Sequence, residues 1–170
     1  KFKRAKKKTG VVCLVLEPTR ELALQTTQVI QKIARGSNVV TTSIFGGVEQ
    51  DTQIKKLNDG VDVLVATPGR MFDLISQGHL DVKHLKILCI DEADLMLDLG
   101  FIKDLNDLMR HIPQKRQTLF FSATITKKIK DLAYTIVRNA IRIQISPKNP
   151  VAKTISHSIL EVEMDDKRFF

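Results

Sequence analysis

The feature that most constrains the fold is a repeated alternation. Short unbroken apolar runs are separated by segments whose apolar residues recur at helical spacing. Residues 11–16, 39–45, 61–66, 86–90, 118–121 and 141–145 read as strands. Residues 20–34, 48–57, 68–77 and 126–137 read as helices. A further helix carries Phe101, Leu105, Leu108 and Met109 and ends before Pro113. In the helix over 20–34, Leu22, Ala23, Val29, Ile30, Ile33 and Ala34 are expected on one inward face. Pro68 opens the helix over 68–77 and Gly78 comes just after its end, both ordinary punctuation for a helix. Runs that are apolar throughout, rather than at every second residue, belong to strands buried on both sides. The expected fold class is therefore α/β, a parallel sheet with helices on both faces. Pro147 and Pro150 end the rhythm, and Ile155, His157 and Ile159 suggest one more extended stretch.

The length of 170 residues fits one domain or a piece of a larger one, and a 43% hydrophobic content can fill a core of that size. No apolar run approaches the roughly 18 residues that span a bilayer, and no signal-like stretch opens the sequence. A soluble, cytoplasmic protein with no membrane partner is expected. Cys13 and Cys89 each lie inside an apolar run and read as inert core thiols. With four scattered histidines they offer no metal-ligand spacing. The net charge of +8 is concentrated at the start, where Lys1, Lys3, Arg4, Lys6, Lys7 and Lys8 stand with no acid in residues 1–10. Without those six, 21 basic residues face 19 acidic ones, so the body is close to neutral. Residues 1–10 read as a flexible basic segment that would add salt-sensitive affinity for phosphate. A nucleic-acid partner has to be argued from motifs.

In an open α/β sheet, ligands gather beyond the carboxyl ends of the strands, so the residues just past each strand are the informative ones. The strand over 11–16 leads into Pro18-Thr19-Arg20-Glu21-Leu22, and that over 39–45 into Gly46-Gly47. Thr67-Pro68-Gly69-Arg70 comes after the strand over 61–66, Asp91-Glu92-Ala93-Asp94 after that over 86–90, and Ser122-Ala123-Thr124 after that over 118–121. An acid fixed at the end of a buried strand, here Asp91, suits a Mg²⁺ on nucleotide phosphates, and the next carboxylate can orient an attacking water. The same pair also suits an acidic helix start. Ser122-Ala123-Thr124 reads equally as a helix cap. Thr67-Pro68-Gly69-Arg70 and Pro18-Thr19-Arg20 resemble ordinary helix starts, although such starts present free N–H groups to anions and an arginine beside them suits phosphate. Gly46-Gly47 either lets a ligand approach the backbone or makes a turn.

Taken together, in this order and spacing, the five segments resemble the first RecA-like domain of the DEAD-box RNA helicases. The resemblance runs from about residue 11 to the end of the sequence. It implies an ATP- and Mg²⁺-dependent enzyme that separates or remodels short RNA duplexes. Asp91 would contact the Mg²⁺ of bound ATP and Glu92 would activate the hydrolytic water. Asp94 would link that site to Ser122-Ala123-Thr124, whose Ser122 and Thr124 would couple nucleotide state to RNA separation. Pro18, Thr19, Arg20, Gly46, Gly47, Thr67, Pro68, Gly69 and Arg70 would hold the sugar-phosphate backbone of one RNA strand, with little base preference. The stretches over residues 60–70 and 115–124 look similar to bacterial RhlE-like members.

The sequence departs from the family in two respects. No Gly-x-x-x-x-Gly-Lys-Ser/Thr phosphate cradle occurs, since no glycine is followed by lysine, and only eighteen residues precede Thr19. The family also has a second RecA-like domain, a further implied partner. The expectation is a fragment in three parts: a basic segment over 1–10, a partial RecA-like domain over 11–146, and an exit strand with the start of an interdomain linker over 147–170. Without the cradle, ATP has little to grip, so the isolated chain should be inactive. The missing first strand should leave a sheet edge or apolar face uncovered, open to aggregation or a partner. A catalytically inert module that binds RNA or protein is the alternative.

Overall fold

The computed structural model describes residues 10–145. Residues 1–9 of the basic start expected over 1–10, and the whole exit segment expected over 147–170, lie outside those residues. The chain divides into two units, residues 1–140 and 141–170.

Five strands form one parallel sheet: β1 (Cys13–Leu16), β2 (Thr41–Ile44), β3 (Val63–Ala66), β4 (Ile87–Ile90) and β5 (Gln117–Phe120). Their order is β2-β3-β1-β4-β5, with every neighbouring pair parallel. The helices are α1 (Arg20–Ile33), α2 (Asp51–Asp59), α3 (Pro68–Ser76), α4 (Ala93–Asp98), α5 (Ile102–His111) and α6 (Lys127–Ile136). Parallel strands require crossovers, and the helices between the strands supply them. The fold is therefore the expected RecA-like α/β arrangement.

The two faces of the sheet are covered unequally. Leu14, Leu16, Leu64, Ala66, Leu88 and Ile90 point into the larger core, where Met71, Leu74, Met96, Leu105, Leu108, Leu132 and Ile136 cover them from α3, α4, α5 and α6. The alternate residues Cys13, Val15, Val65 and Cys89 form a smaller cluster covered by Ala23 and Ile30 of α1. The inward stripe of α1 runs through Ala23, Thr27 and Ile30. Val29 and Ile33 fall on a second face and are 53% and 80% exposed, so the expectation that they pack inward is corrected. At 100° per residue Val29 and Ile33 sit roughly 130° and 90° from the middle of the Ala23–Thr27–Ile30 stripe. Cys13 and Cys89 are half-buried on this thinly covered face rather than deep in the core.

Three expected elements differ from those observed. The single helix after β4 is two, because Gly100 adopts φ +85° and breaks the path between α4 and α5. The helix expected from residue 48 starts at Asp51, since residues 46–50 are held as a loop at the end of β2. The strand expected over 141–145 is not formed, and Ile141, Ile143 and Ile145 are 85–91% exposed. Apolar alternation makes a strand only where a ladder accepts its backbone groups. The sheet contains no strand from this stretch. At one edge of the sheet stands β5, with Leu119 36% exposed and Phe121, just beyond the strand, 51% exposed.

Candidate nucleotide and nucleic-acid interface

Because all five strands are parallel, their carboxyl ends share one edge of the sheet. Backbone hydrogen bonds run across that edge like a staircase. Thr67 N–H donates to Ile44 O (3.1 Å), Glu17 N–H to Ala66 O (3.0 Å), Asp91 N–H to Leu16 O (3.1 Å) and Phe121 N–H to Ile90 O (2.9 Å). Each bond ties the first residue after one strand to the last residue of its neighbour. The segments beyond the strands therefore stand in the spatial order Gly46-Gly47, Thr67-Pro68-Gly69-Arg70, Pro18-Thr19-Arg20, Asp91-Glu92, Ser122-Ala123-Thr124. Three segments suited to phosphate lie side by side, and the acidic and hydroxyl-bearing ones come next.

At the first three ends, side chains lock the loops together. Thr19 caps α1, its Oγ1 accepting from Leu22 N–H at 3.3 Å. The Arg20 guanidinium lies 5.1 Å from the centroid of the Phe45 ring, an attractive cation–π placement that brings its charge beside Gly46-Gly47. Arg70 Nη2 donates to Val48 O at 2.9 Å, so α3 holds the same loop from the other side. Arg70 Nη1 is buried with no partner among the described residues. Gly47 needs its freedom, with φ +77°. Gly46 and Gly69 are different: a Cβ built on either would meet nothing within 4 Å, so the protein's own packing does not require glycine there. A bare backbone at both points is what a closely approaching ligand needs. Pro18 and Pro68 are buried, so they set the paths of their loops and offer no surface to a ligand.

At the acidic end, Asp91 Oδ1 accepts from Glu92 N–H at 2.9 Å. Glu92 takes the left-handed conformation, φ 48° and ψ 48°. For a non-glycine residue this stores roughly 1–3 kcal/mol of strain, a cost concentrated at functional sites. Ala93 N–H donates to Phe121 O at 3.0 Å, joining this turn to the end of β5. Asp94 Oδ2 then accepts from both Thr124 N–H and Thr124 Oγ1–H, each at 2.8 Å, while Ser122 Oγ donates to Thr124 O at 2.7 Å. Partial burial alone would raise the Asp94 carboxyl, but the Thr124 bonds and the N–H groups of Asp94 and Leu95 outweigh it and hold it below the usual aspartate value. The two motifs expected to communicate are thus in direct contact.

Two side chains at this edge carry roles that sequence reasoning missed. Gln53 of α2, only 6% exposed, clamps the end of β2: Oε1 accepts from Phe45 N–H (3.0 Å), and Nε2 donates to Phe45 O (3.2 Å) and Glu49 O (3.4 Å). Its signal is a polar residue on the inward side of an otherwise apolar helix face. Glu17, 1% exposed, lies just past β1 and accepts from Thr26 Oγ1–H at 2.6 Å. Burial raises its carboxyl above the usual value, the Thr26 bond opposes that, and Asp91 and Glu92 add to the rise. An acid directly after an apolar strand is the signal, the same one that singles out Asp91.

The donor set at this end, carboxylates at neighbouring strand ends, fits a Mg²⁺ that keeps most of its waters. The phosphate cradle is a different matter, since no glycine in the 170 residues is followed by lysine. Among the described residues no three of His, Cys, Asp and Glu converge tightly enough to enclose a metal ion, and no helix is long and apolar enough to cross a membrane.

Comparison with known proteins gives a consistent result. The model of the DEAD/DEAH box helicase family matches residues 1–132. An ATP-dependent RNA helicase DBP3 of Lodderomyces elongisporus is 41% identical over 164 residues, 95% of this chain and 30% of that protein. An ATP-dependent RNA helicase RhlB of Shewanella frigidimarina is 35% identical over 165 residues, 96% of this chain and 38% of that protein. The chain thus spans about a third of the length of these relatives. Among solved structures, a DEAD box protein from Methanococcus jannaschii superposes with a TM-score of 0.73 at 37% identity, covering 77% of this chain and 36% of that one. The yeast DEAD-box splicing factor Prp28 gives 0.72 at 34% identity, covering 76% and 31%.

Proposed function

The chain belongs to the DEAD/DEAH box helicase family, and from that membership we propose that it forms part of an ATP-dependent RNA helicase that separates or remodels short RNA duplexes. The observation that carries this reading is the order of the strand ends, three phosphate-suited segments directly beside an acidic pair. Arg20, Arg70 and the bare backbone at Gly46 and Gly69 hold the sugar-phosphate chain of one RNA strand, with Thr19, Gly47 and Thr67 shaping the loops. Contacts of this kind read no bases, so affinity should vary little with sequence.

At the neighbouring ends, bound magnesium nucleotide supplies the phosphoryl group and the cation that offsets its charge. Asp91 holds the cation side with the carboxylate oxygen left free by the Glu92 amide. Glu92 orients the attacking water and accepts its proton. The Asp94–Thr124 contact carries a shift at that site to the end of β5, and Ser122 steadies the Thr124 loop. The phosphate cradle and a second RecA-like domain are partners in the same reaction and come from outside these residues. A cytoplasmic setting, the domain limits at 11–146 and the RhlE-like placement belong to this proposal as well.

RNA binding tests the reading. Fluorescence anisotropy with single-stranded RNA, on the helicase that carries these residues, should show Arg70→Ala weakening binding equally on unrelated sequences. The dependence of log affinity on log salt should fall by roughly one counterion, about 0.7 in slope for a single strand. Unchanged affinity and slope for both Arg70→Ala and Arg20→Ala would remove RNA from this edge.

A further inference from the structure

The two edges of the sheet are finished differently. At β2, the residues bonded to β3 are Val40 and Ile44, whose carbonyls accept from Val63 N–H and Thr67 N–H. Alternation along a strand turns the backbone groups of Thr41, Ser43 and Phe45 to the outside. Side chains occupy them on both sides of Ser43. Gln31 Nε2 donates to Thr41 O at 3.1 Å, and the Gln53 amide bonds both Phe45 N–H and Phe45 O. A strand adding there would have to displace both glutamines.

The β5 edge has no such caps. Gln117 N–H donates to Lys86 O, Phe121 N–H donates to Ile90 O, and Phe121 O accepts from Ala93 N–H. These residues face β4, so the N–H and C=O groups of Thr118 and Phe120 face outward. No strand is paired beyond β5 among the described residues. Edge strands are commonly protected from further pairing by lysine, proline or a bulge. Residues 117–126 contain no charge, no proline and no glycine, and β5 runs in unbroken register with β4. Leu119 stands beside Cys89, on the thinly covered face of the sheet.

We propose that this chain forms a symmetric dimer by antiparallel pairing of β5 with β5 of a second copy. The outward groups fix the register. Thr118 exchanges both backbone bonds with the partner's Phe120, and the reverse pair follows by symmetry. Leu119 then lies opposite the partner's Leu119 at the two-fold axis, as the close pair without hydrogen bonds, and Gln117 lies opposite the partner's Phe121. A second copy fits because the strand is its own complement. Being uncharged, it sets no like charges opposite each other, and Gln117, Leu119 and Phe121 of both copies fall on the same face of the joined sheet. The pairing uses the uncapped edge of each copy, and with the β2 edge capped it stops at two.

Sedimentation velocity on the 170-residue chain over a range of concentrations reads the association. A monomer–dimer equilibrium without larger species is expected. Leu119→Lys and Leu119→Glu each set like charges opposite one another and should raise the dimer dissociation constant at least about tenfold. An equimolar mixture of the two variants should dimerise again. Ile33→Lys, at an exposed apolar residue of α1, should leave the dimer intact. Hydrogen exchange gives a second readout that needs no substitution: the Thr118 and Phe120 amides should slow as concentration rises, while the Ser43 amide does not. A monomer at every concentration overturns the inference, and slow Thr118 and Phe120 amides in that monomer would assign the edge to another segment of the same chain. Growth beyond the dimer, a dimer indifferent to Leu119→Lys, a dimer lost in Ile33→Lys, or a mixture that stays monomeric would each overturn it as well.

Discussion

Gln53→Leu is the substitution whose consequence the structure specifies most closely. The glutamine is buried, and its amide satisfies both backbone groups of Phe45, the residue immediately before Gly46-Gly47. Leucine fills a similar volume but offers neither donor nor acceptor. Phe45 N–H and C=O then lose their partners, and each orphaned group costs roughly 1–3 kcal/mol when water cannot reach it. Phe45 is half-buried, which favours the lower end for each group. The expected loss is about 2–3 kcal/mol, a large share of the 5–15 kcal/mol typical of a domain. In urea, the midpoint should fall while the slope stays constant, since the surface exposed on unfolding is unchanged. For a domain of this size the melting temperature should drop by roughly 6–10 °C. Gln53→Glu should be no better, because a carboxylate facing the Phe45 and Glu49 carbonyls loses both donated bonds. Hydrogen exchange at the Phe45 amide should accelerate in both variants. A Gln53→Leu midpoint within about 0.5 kcal/mol of the parent, the range of ordinary surface substitutions, would refute the clamp.

Three further outcomes are expected from the same geometry. Asp94 is held below its usual value in the fold, so it contributes stability above the unfolded value that is lost as pH falls through the folded one. Asp94→Asn should therefore destabilise the chain at neutral pH and flatten the acid limb of a stability-against-pH series. Glu17 has the opposite sign: its raised folded value means that ionisation costs stability as pH rises. Glu17→Gln should stabilise the chain at neutral pH, and the advantage should vanish below the usual glutamate range. Burial pushes the Cys89 thiol up to about 12, with Asp91, Cys13 and Glu17 adding to it, and burial also raises Cys13. Neither should react with iodoacetamide at neutral pH faster than a free thiol in denaturant, as mass spectrometry would show.

Much of this architecture is legible in the sequence because strand and motif share one signal. An apolar run that stops abruptly at a charged or turn-forming residue marks both the end of a buried strand and the edge where ligands gather. Leu16, Ile90 and Ala66 end such runs, and the residues beyond them stand out. The first four strands are four residues long rather than five to seven, because residues such as Val11, Val61 and Lys86 lie beyond the paired register, and β5 keeps its expected length of four. Helical spacing alone does not choose between the two apolar faces of α1. The choice depends on how much of the sheet lies opposite, and Val29 and Ile33 face outward for that reason. Gly100 is visible, but a glycine in a helical pattern does not announce whether it will take positive φ. The clamps stay hidden because they join segments through space: Gln53 reaches back eight residues to Phe45, and Glu17 meets Asp91 only through the pairing of β1 with β4.

The most direct test of the central claim is RNA-stimulated ATP hydrolysis by the full-length helicase that carries these residues, beside its Glu92→Gln variant and the 170-residue chain. Hydrolysis should depend on single-stranded RNA, fall at least about a hundredfold in Glu92→Gln, as expected for a general base, and be absent from the chain alone. Full activity in Glu92→Gln, or hydrolysis indifferent to RNA, would contradict it.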